Sequence, residues 1–98
     1  MEFLSMSEIN RFLGELSGWD FGDSGKSIIK NFKFKDFKEA IEFVNKVSEI
    51  AEKEEHHPNI KIYDYNNVEI ELTTHASNGL TEKDFKVAEE IDLLNSNT

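Results

Sequence analysis

The sequence predicts an α+β domain, with three helices on one face of a four-stranded antiparallel sheet in the order α-β-β-α-β-β-α. Three stretches carry apolar residues at helical spacing, and two pairs of shorter stretches alternate or flank turn-forming residues. At 98 residues the chain suits one compact domain, 1–98, and is too short for two. Its ends, 1–6 and 95–98, are expected to fray.

From Ser7, read as an N-cap, Ile9, Phe12, Leu13 and Leu16 follow helical spacing until Gly18. Trp19–Phe21 and Ser27–Phe34 then flank Gly22-Asp23-Ser24-Gly25, which reads as a hairpin turn. Asp36-Phe37-Lys38-Glu39 resembles a capping box and opens the longest helix. Phe37, Ala40, Ile41, Val44, Val47, Ile50 and Ala51 form its apolar stripe. Pro58 disfavours helical geometry in the residue before it, so this helix should stop near His57.

The second strand pair carries Ile60 and Ile62, then a turn at Tyr65-Asn66-Asn67. Val68, Ile70 and Leu72 point one way, while Glu69, Glu71, Thr73 and His75 point the other. After the loop signal Asn78-Gly79, a capping box at Thr81-Glu82-Lys83-Asp84 begins the last helix. Phe85, Ala88, Ile91 and Leu94 face inward there.

Composition narrows the function. Eleven basic against twenty acidic residues leave a net charge of −9, which repels phosphate backbones and anionic membrane surfaces. No apolar run is long enough to span a bilayer, and the start lacks a secretory signal, so the expected setting is cytoplasmic. Without cysteine, disulfides, thiolate metal sites and cysteine nucleophiles are excluded. A core this thin makes oligomerisation a natural way to bury more surface.

All three histidines fall between positions 56 and 75. His56-His57 ends a helix and His75 ends a strand, so one rim of the sheet could gather them. Imidazole exchanges protons near neutral pH, which makes such a rim an acid–base site. The plainer alternative is a helix-end histidine interacting with the dipole, worth about 0.3–1 kcal/mol. A three-histidine zinc site is a further alternative. Against it, adjacent histidines project in different directions, and H-x-H and H-x3-H spacings are absent. No metal is expected. Asp84 serves as the N3 residue of its capping box and should lie beside His75 if the loop Ala76–Leu80 folds back. Glu52 and Glu55 read as part of a solvated helix face.

The pattern Glu52-x3-His56-His57-Pro58-x6-Tyr65-x9-His75-x8-Asp84 resembles the signature of the pterin-4a-carbinolamine dehydratases. Gly18-Trp19, Phe32-Lys33-Phe34-Lys35-Asp36-Phe37, Thr73-Thr74-His75 and Gly79-Leu80-Thr81-Glu82-Lys83-Asp84 add to the likeness, which runs from about Ser7 to Ile91. The resemblance implies a hydro-lyase that removes water from 4a-hydroxytetrahydrobiopterin to give quinonoid dihydropterin, supporting tetrahydrobiopterin recycling. It implies no metal or organic cofactor, and a homodimer or homotetramer.

By the same resemblance, the catalytic histidines are His56, His57 and His75. Pterin contacts fall on Glu55, His56, His57, Thr73, Thr74, His75 and Ala76, with Glu52, Pro58 and Asp84 in support. Two departures stand out. Glu55 replaces the Asp of vertebrate members, and the spacer from Pro58 to Tyr65 is longer, which suggests a bulge or longer turn beside the site. Two other readings compete: a non-catalytic dimerisation or binding module, as in vertebrate members that stabilise a transcription factor dimer, and an enzyme acting on a molybdopterin or folate intermediate.

Overall fold

The structure is a computed structural model describing residues 4–22, 25–77 and 79–96. Its elements run α1 (Met6–Glu15), β1 (Asp20–Phe21), β2 (Ile28–Lys33), α2 (Phe37–Glu54), β3 (Asn59–Tyr63), β4 (Asn67–Leu72) and α3 (Glu82–Ser96). The four strands form one antiparallel sheet in the order β1-β2-β4-β3. The α+β reading and the element order hold.

Register explains which face is covered. Ile28, Lys30 and Phe32 pair with Leu72, Ile70 and Val68, and Ile60 and Ile62 pair with Ile70 and Val68 on the other side of β4. Side chains at paired positions share a face. Ile28, Phe32, Val68, Ile70 and Leu72 are buried there against apolar residues of the helices. Phe32, Phe34 and Phe43 stack with centroids 4.8–4.9 Å apart, each such pair adding about 0.5–1.5 kcal/mol beyond its burial.

Lys30 is the polar exception on this face. Its ammonium reaches Asp92 of α3 and the Ser17 carbonyl, both at 2.7 Å, while the Trp19 indole N–H donates to the same carboxylate at 3.0 Å. The opposite face is polar, with the Tyr63 hydroxyl donating to Asn31 and the Asn31 amide donating to Asn67.

Several local expectations change. Ser5 rather than Ser7 caps α1, because its hydroxyl accepts the Glu8 N–H while Glu8 accepts the Ser5 N–H. Leu4 is buried and its N–H donates to the Leu80 carbonyl, which ties the chain just before α1 to the start of α3. At the other end α3 continues to Ser96. The turn residues Asp23 and Ser24 lie outside the described residues. A Cβ at Gly22 beside them would meet the Ser27 hydroxyl at 2.1 Å, so any larger residue there would displace that hydroxyl from its hydrogen bond to Glu71.

The buried arc of α2 is rotated from the expected stripe. Phe43, left out of that stripe, is buried with Ala40, Val47, Ile50 and Ala51, whereas Phe37 is 52% and Ile41 36% exposed. At about 100° per residue, Phe37, Ile41 and Val44 fall together on one shoulder beside the packed arc. The apolar surface of α2 is wider than the face the core covers. Its end also comes earlier than expected, at Glu54.

Candidate functional site

The last turn of α2 creates the site. Glu55 takes the left-handed conformation, with φ 53° and ψ 43°, and its N–H returns to the Ala51 carbonyl. The His56 N–H also donates to Ala51, at 3.0 Å. Such a turn usually uses glycine, and a side chain there costs roughly 1–2 kcal/mol. It redirects the chain sharply, carrying His56 and His57 off the helix before Pro58 leads into β3.

A second segment meets them. Pairing of β4 ends at Leu72, and His75–Ser77 form one 3-10 turn. A bridge between Thr74 and Gly79 closes this loop, with the Thr74 N–H donating to the Gly79 carbonyl at 3.1 Å. The loop presents His75, which is exposed, and buries Thr74.

The two adjacent histidines are held differently. His56 Nε2 lies 2.5 Å from Asp84 Oδ1, with the two side chains 11% and 0% exposed. The other oxygen, Asp84 Oδ2, accepts from the Thr81 N–H at 2.9 Å and the Thr74 hydroxyl at 2.8 Å. The Thr74 hydroxyl has one proton, so the Thr81 hydroxyl donates to it across 2.9 Å. With the carboxylate accepting throughout, the ring proton sits on His56 Nε2. The first turn of α3 also favours a negative charge at this position.

Only half of the expected capping box forms here, since Asp84 takes the Thr81 N–H while the Thr81 side chain serves Thr74. Asp84 grips His56, not the expected neighbour His75.

His57 Nε2 is also 2.5 Å from a carboxylate, Glu52 Oε2, but this pair is 63% and 76% exposed. The one ring is set in a dry network; the other leans on a solvated helix end.

A cleft of about 370 Å³ is lined by Glu55, His56, His57, Thr73, Thr74, His75, Ala76 and Lys83. Every residue expected to contact substrate is on its wall. Glu52 and Asp84 stand behind His57 and His56, and Pro58 follows them without lining the cleft. Lys83 had not been expected. It precedes Asp84 in the chain, but its ammonium donates to the Glu54 carbonyl at 2.6 Å, a contact set by the packing of α3 on α2.

A larger cleft, about 450 Å³, lies over Phe12 and Phe85 between α1 and α3 and holds no histidine. Proton-exchanging chemistry selects the smaller one, whose volume suits a small organic ligand. Among the described residues no group of three or more His, Asp or Glu converges to hold a metal ion, and no helix is long and apolar enough to cross a membrane.

The family model described as pterin 4 alpha carbinolamine dehydratase matches residues 2–94. A relative from Sulfolobus acidocaldarius is 46% identical over 89 residues, covering 91% of this chain and 94% of its own. One from Nostoc sp. is 49% identical over 94 residues, covering 96% and 98%. Both carry the name pterin-4-alpha-carbinolamine dehydratase as an assignment not yet confirmed.

Among solved structures, a transcriptional coactivator/pterin dehydratase from Brucella melitensis superposes with a TM-score of 0.88 at 40% identity, covering 95% of this chain and 98% of that one. A pterin dehydratase-like protein described as a RuBisCO assembly factor of the alpha-carboxysome shares the fold at TM-score 0.68 and 23% identity, covering 83% and 93%.

Proposed function

The chain belongs to the pterin 4 alpha carbinolamine dehydratase family, and on that premise we propose that it dehydrates 4a-hydroxytetrahydrobiopterin to quinonoid dihydropterin by histidine acid–base catalysis. The carrying observation is the convergence of His56, His57 and His75 on one cleft, with two of the rings backed by carboxylates. The reaction needs no metal or organic cofactor.

One imidazole gives a proton to the hydroxyl on C4a as the carbon–oxygen bond breaks and water leaves. Electrons from the N5–H bond form C4a=N5, and a second imidazole takes the released proton. One proton is given and one taken, so the site keeps its total protonation. Each such group contributes roughly 10²–10⁴-fold. Hydrogen bonds from Nε2 to Asp84 and Glu52 leave Nδ1 as the nitrogen through which His56 or His57 could exchange a proton. The third ring orients the pterin together with Thr73, Thr74, Glu55 and Ala76. The protein acts as a homodimer or homotetramer in a cytoplasmic setting.

The test is turnover of freshly generated 4a-hydroxytetrahydropterin by the wild type and by His75→Ala. The variant should keep its fold, because His75 is exposed, and lose roughly 10²-fold or more in rate. A folded wild type without dehydration above the uncatalysed rate would overturn the reading. The coactivator name of the Brucella relative favours a second reading, a binding module. A module would keep its partner after loss of all three histidines.

A further inference from the structure

We infer that Lys83 is a positioning residue that holds the left-handed turn carrying His56 and His57 into the cleft. The last carbonyls of a helix have no partner within it, and at the end of α2 the chain turns through a non-glycine residue with positive φ. The conformation is one that side chains resist, so its neighbours must hold it.

Lys83 meets that need. Its ammonium donates to the Glu54 carbonyl, the residue just before the turn, at 2.6 Å. The bond is charge-assisted and partly buried, and a cation suits the negative end of a helix. The next residue, Asp84, grips the His56 ring. The first turn of α3 thus grips the peptide before the turn and the ring beyond it. These are two fixed points on either side of Glu55.

Two other lysines approach the same helix end in a different way. Lys86 lies 3.4 Å from the Glu54 carboxylate, and Lys53 lies 2.6 Å from Glu90. Both join side chains, and neither lines the histidine cleft. Among these cations Lys83 is the one with both the backbone bond and a place on the cleft wall.

The activity arm of the test rests on the dehydratase reading; the spectroscopic arm does not. Lys83→Met keeps the aliphatic stem and removes the donor, Lys83→Arg restores a cationic donor, and Lys86→Met is the control. For Lys83→Met, kcat should fall about 10- to 100-fold with KM within about twofold, since small misplacements of reacting groups cost that much. The Nε2 proton of His56, read in proton–nitrogen spectra of the imidazole rings, should exchange faster with water. Lys83→Arg should recover both values, and Lys86→Met should change neither.

A folded Lys83→Met with wild-type kcat and unchanged His56 exchange overturns the inference. So does a rise in KM at constant kcat, which would make Lys83 a substrate contact. If Lys83→Met does not fold, Lys83→Gln, which keeps a neutral donor, decides on the same two readings. Absence of dehydration in the wild type would remove the reaction assignment alone, and the ring exchange would still judge Lys83.

Discussion

His56 and Asp84 are 28 residues apart in the chain, yet their Nε2 and Oδ1 atoms lie 2.5 Å apart. The same carboxylate accepts from Thr81 and Thr74, so one buried group starts α3, ties down the end of β4 and orients a catalytic candidate. Stability and chemistry therefore meet at a single side chain.

That coupling makes Asp84 testable by three replacements. Asp84→Ala leaves the Thr81 N–H and the Thr74 hydroxyl unpaired in a buried place and should cost about 2–4 kcal/mol. Asp84→Glu adds a methylene where the side chain has no exposure, and overpacking should cost about 1–3 kcal/mol. Asp84→Asn keeps the shape and should hold the fold while the dehydration rate falls roughly 10²-fold. Denaturant unfolding and initial rates check all three. Wild-type turnover in a stable Asp84→Ala protein would end the orienting role.

Glu52 should behave differently. Its pair with His57 is solvated, and exposed ion pairs contribute about 0–1 kcal/mol. Glu52→Gln should leave the unfolding midpoint nearly unchanged and lower the rate less than Asp84→Asn does. Salt should weaken the Glu52 effect and spare the Asp84 one, because screening acts on exposed charges. Equal losses from both substitutions would show that burial does not set their weight.

Acid should attack the contact between α2 and α3. A hydrogen bond that only a protonated Glu90 can donate, together with the ammonium groups of Lys86 and Lys53 beside the carboxylate and against the opposing effect of burial, holds Glu54 below the ordinary value of 4.5. A lowered pKa contributes stability that is present above 4.5 and lost as pH falls through the folded value. Lys53 is raised above 10.5 by its hydrogen bond and attraction to Glu90, so its contribution is present below 10.5 and lost as pH rises through the folded value. Glu54→Gln should flatten the acid limb of stability against pH. Parallel acid limbs for variant and wild type would clear Glu54 of that role.

In solution the chain should sediment as a homodimer or homotetramer at micromolar concentration. The shoulder of Phe37 and Ile41 and the unpaired edge of β3 are surfaces a monomer would leave to water. A single species at 11.3 kDa would refute this.

The alternation of Val68, Ile70 and Leu72 and the spacing of Phe85, Ala88 and Ile91 were legible because each records a local period, two for a strand and 3.6 for a helix. The histidine cluster was legible through its resemblance to the dehydratase signature, while local pattern alone left a helix-end or surface histidine as an equal reading. Local pattern failed on α2. It could not say that Phe43 packs inward and Phe37 outward, because both flank a stripe broader than the arc the sheet covers.

The partners of the site were beyond sequence. Asp84 reaches His56 and Lys83 reaches Glu54 only because α3 packs against the end of α2. By itself, then, the chain determined its elements, their order and the residue types available for proton exchange, all consequences of neighbours within a turn or two. Tertiary structure alone decided which carboxylate holds which ring and which carbonyl receives the lysine, because those contacts depend on how helices far apart in sequence come to rest on one sheet.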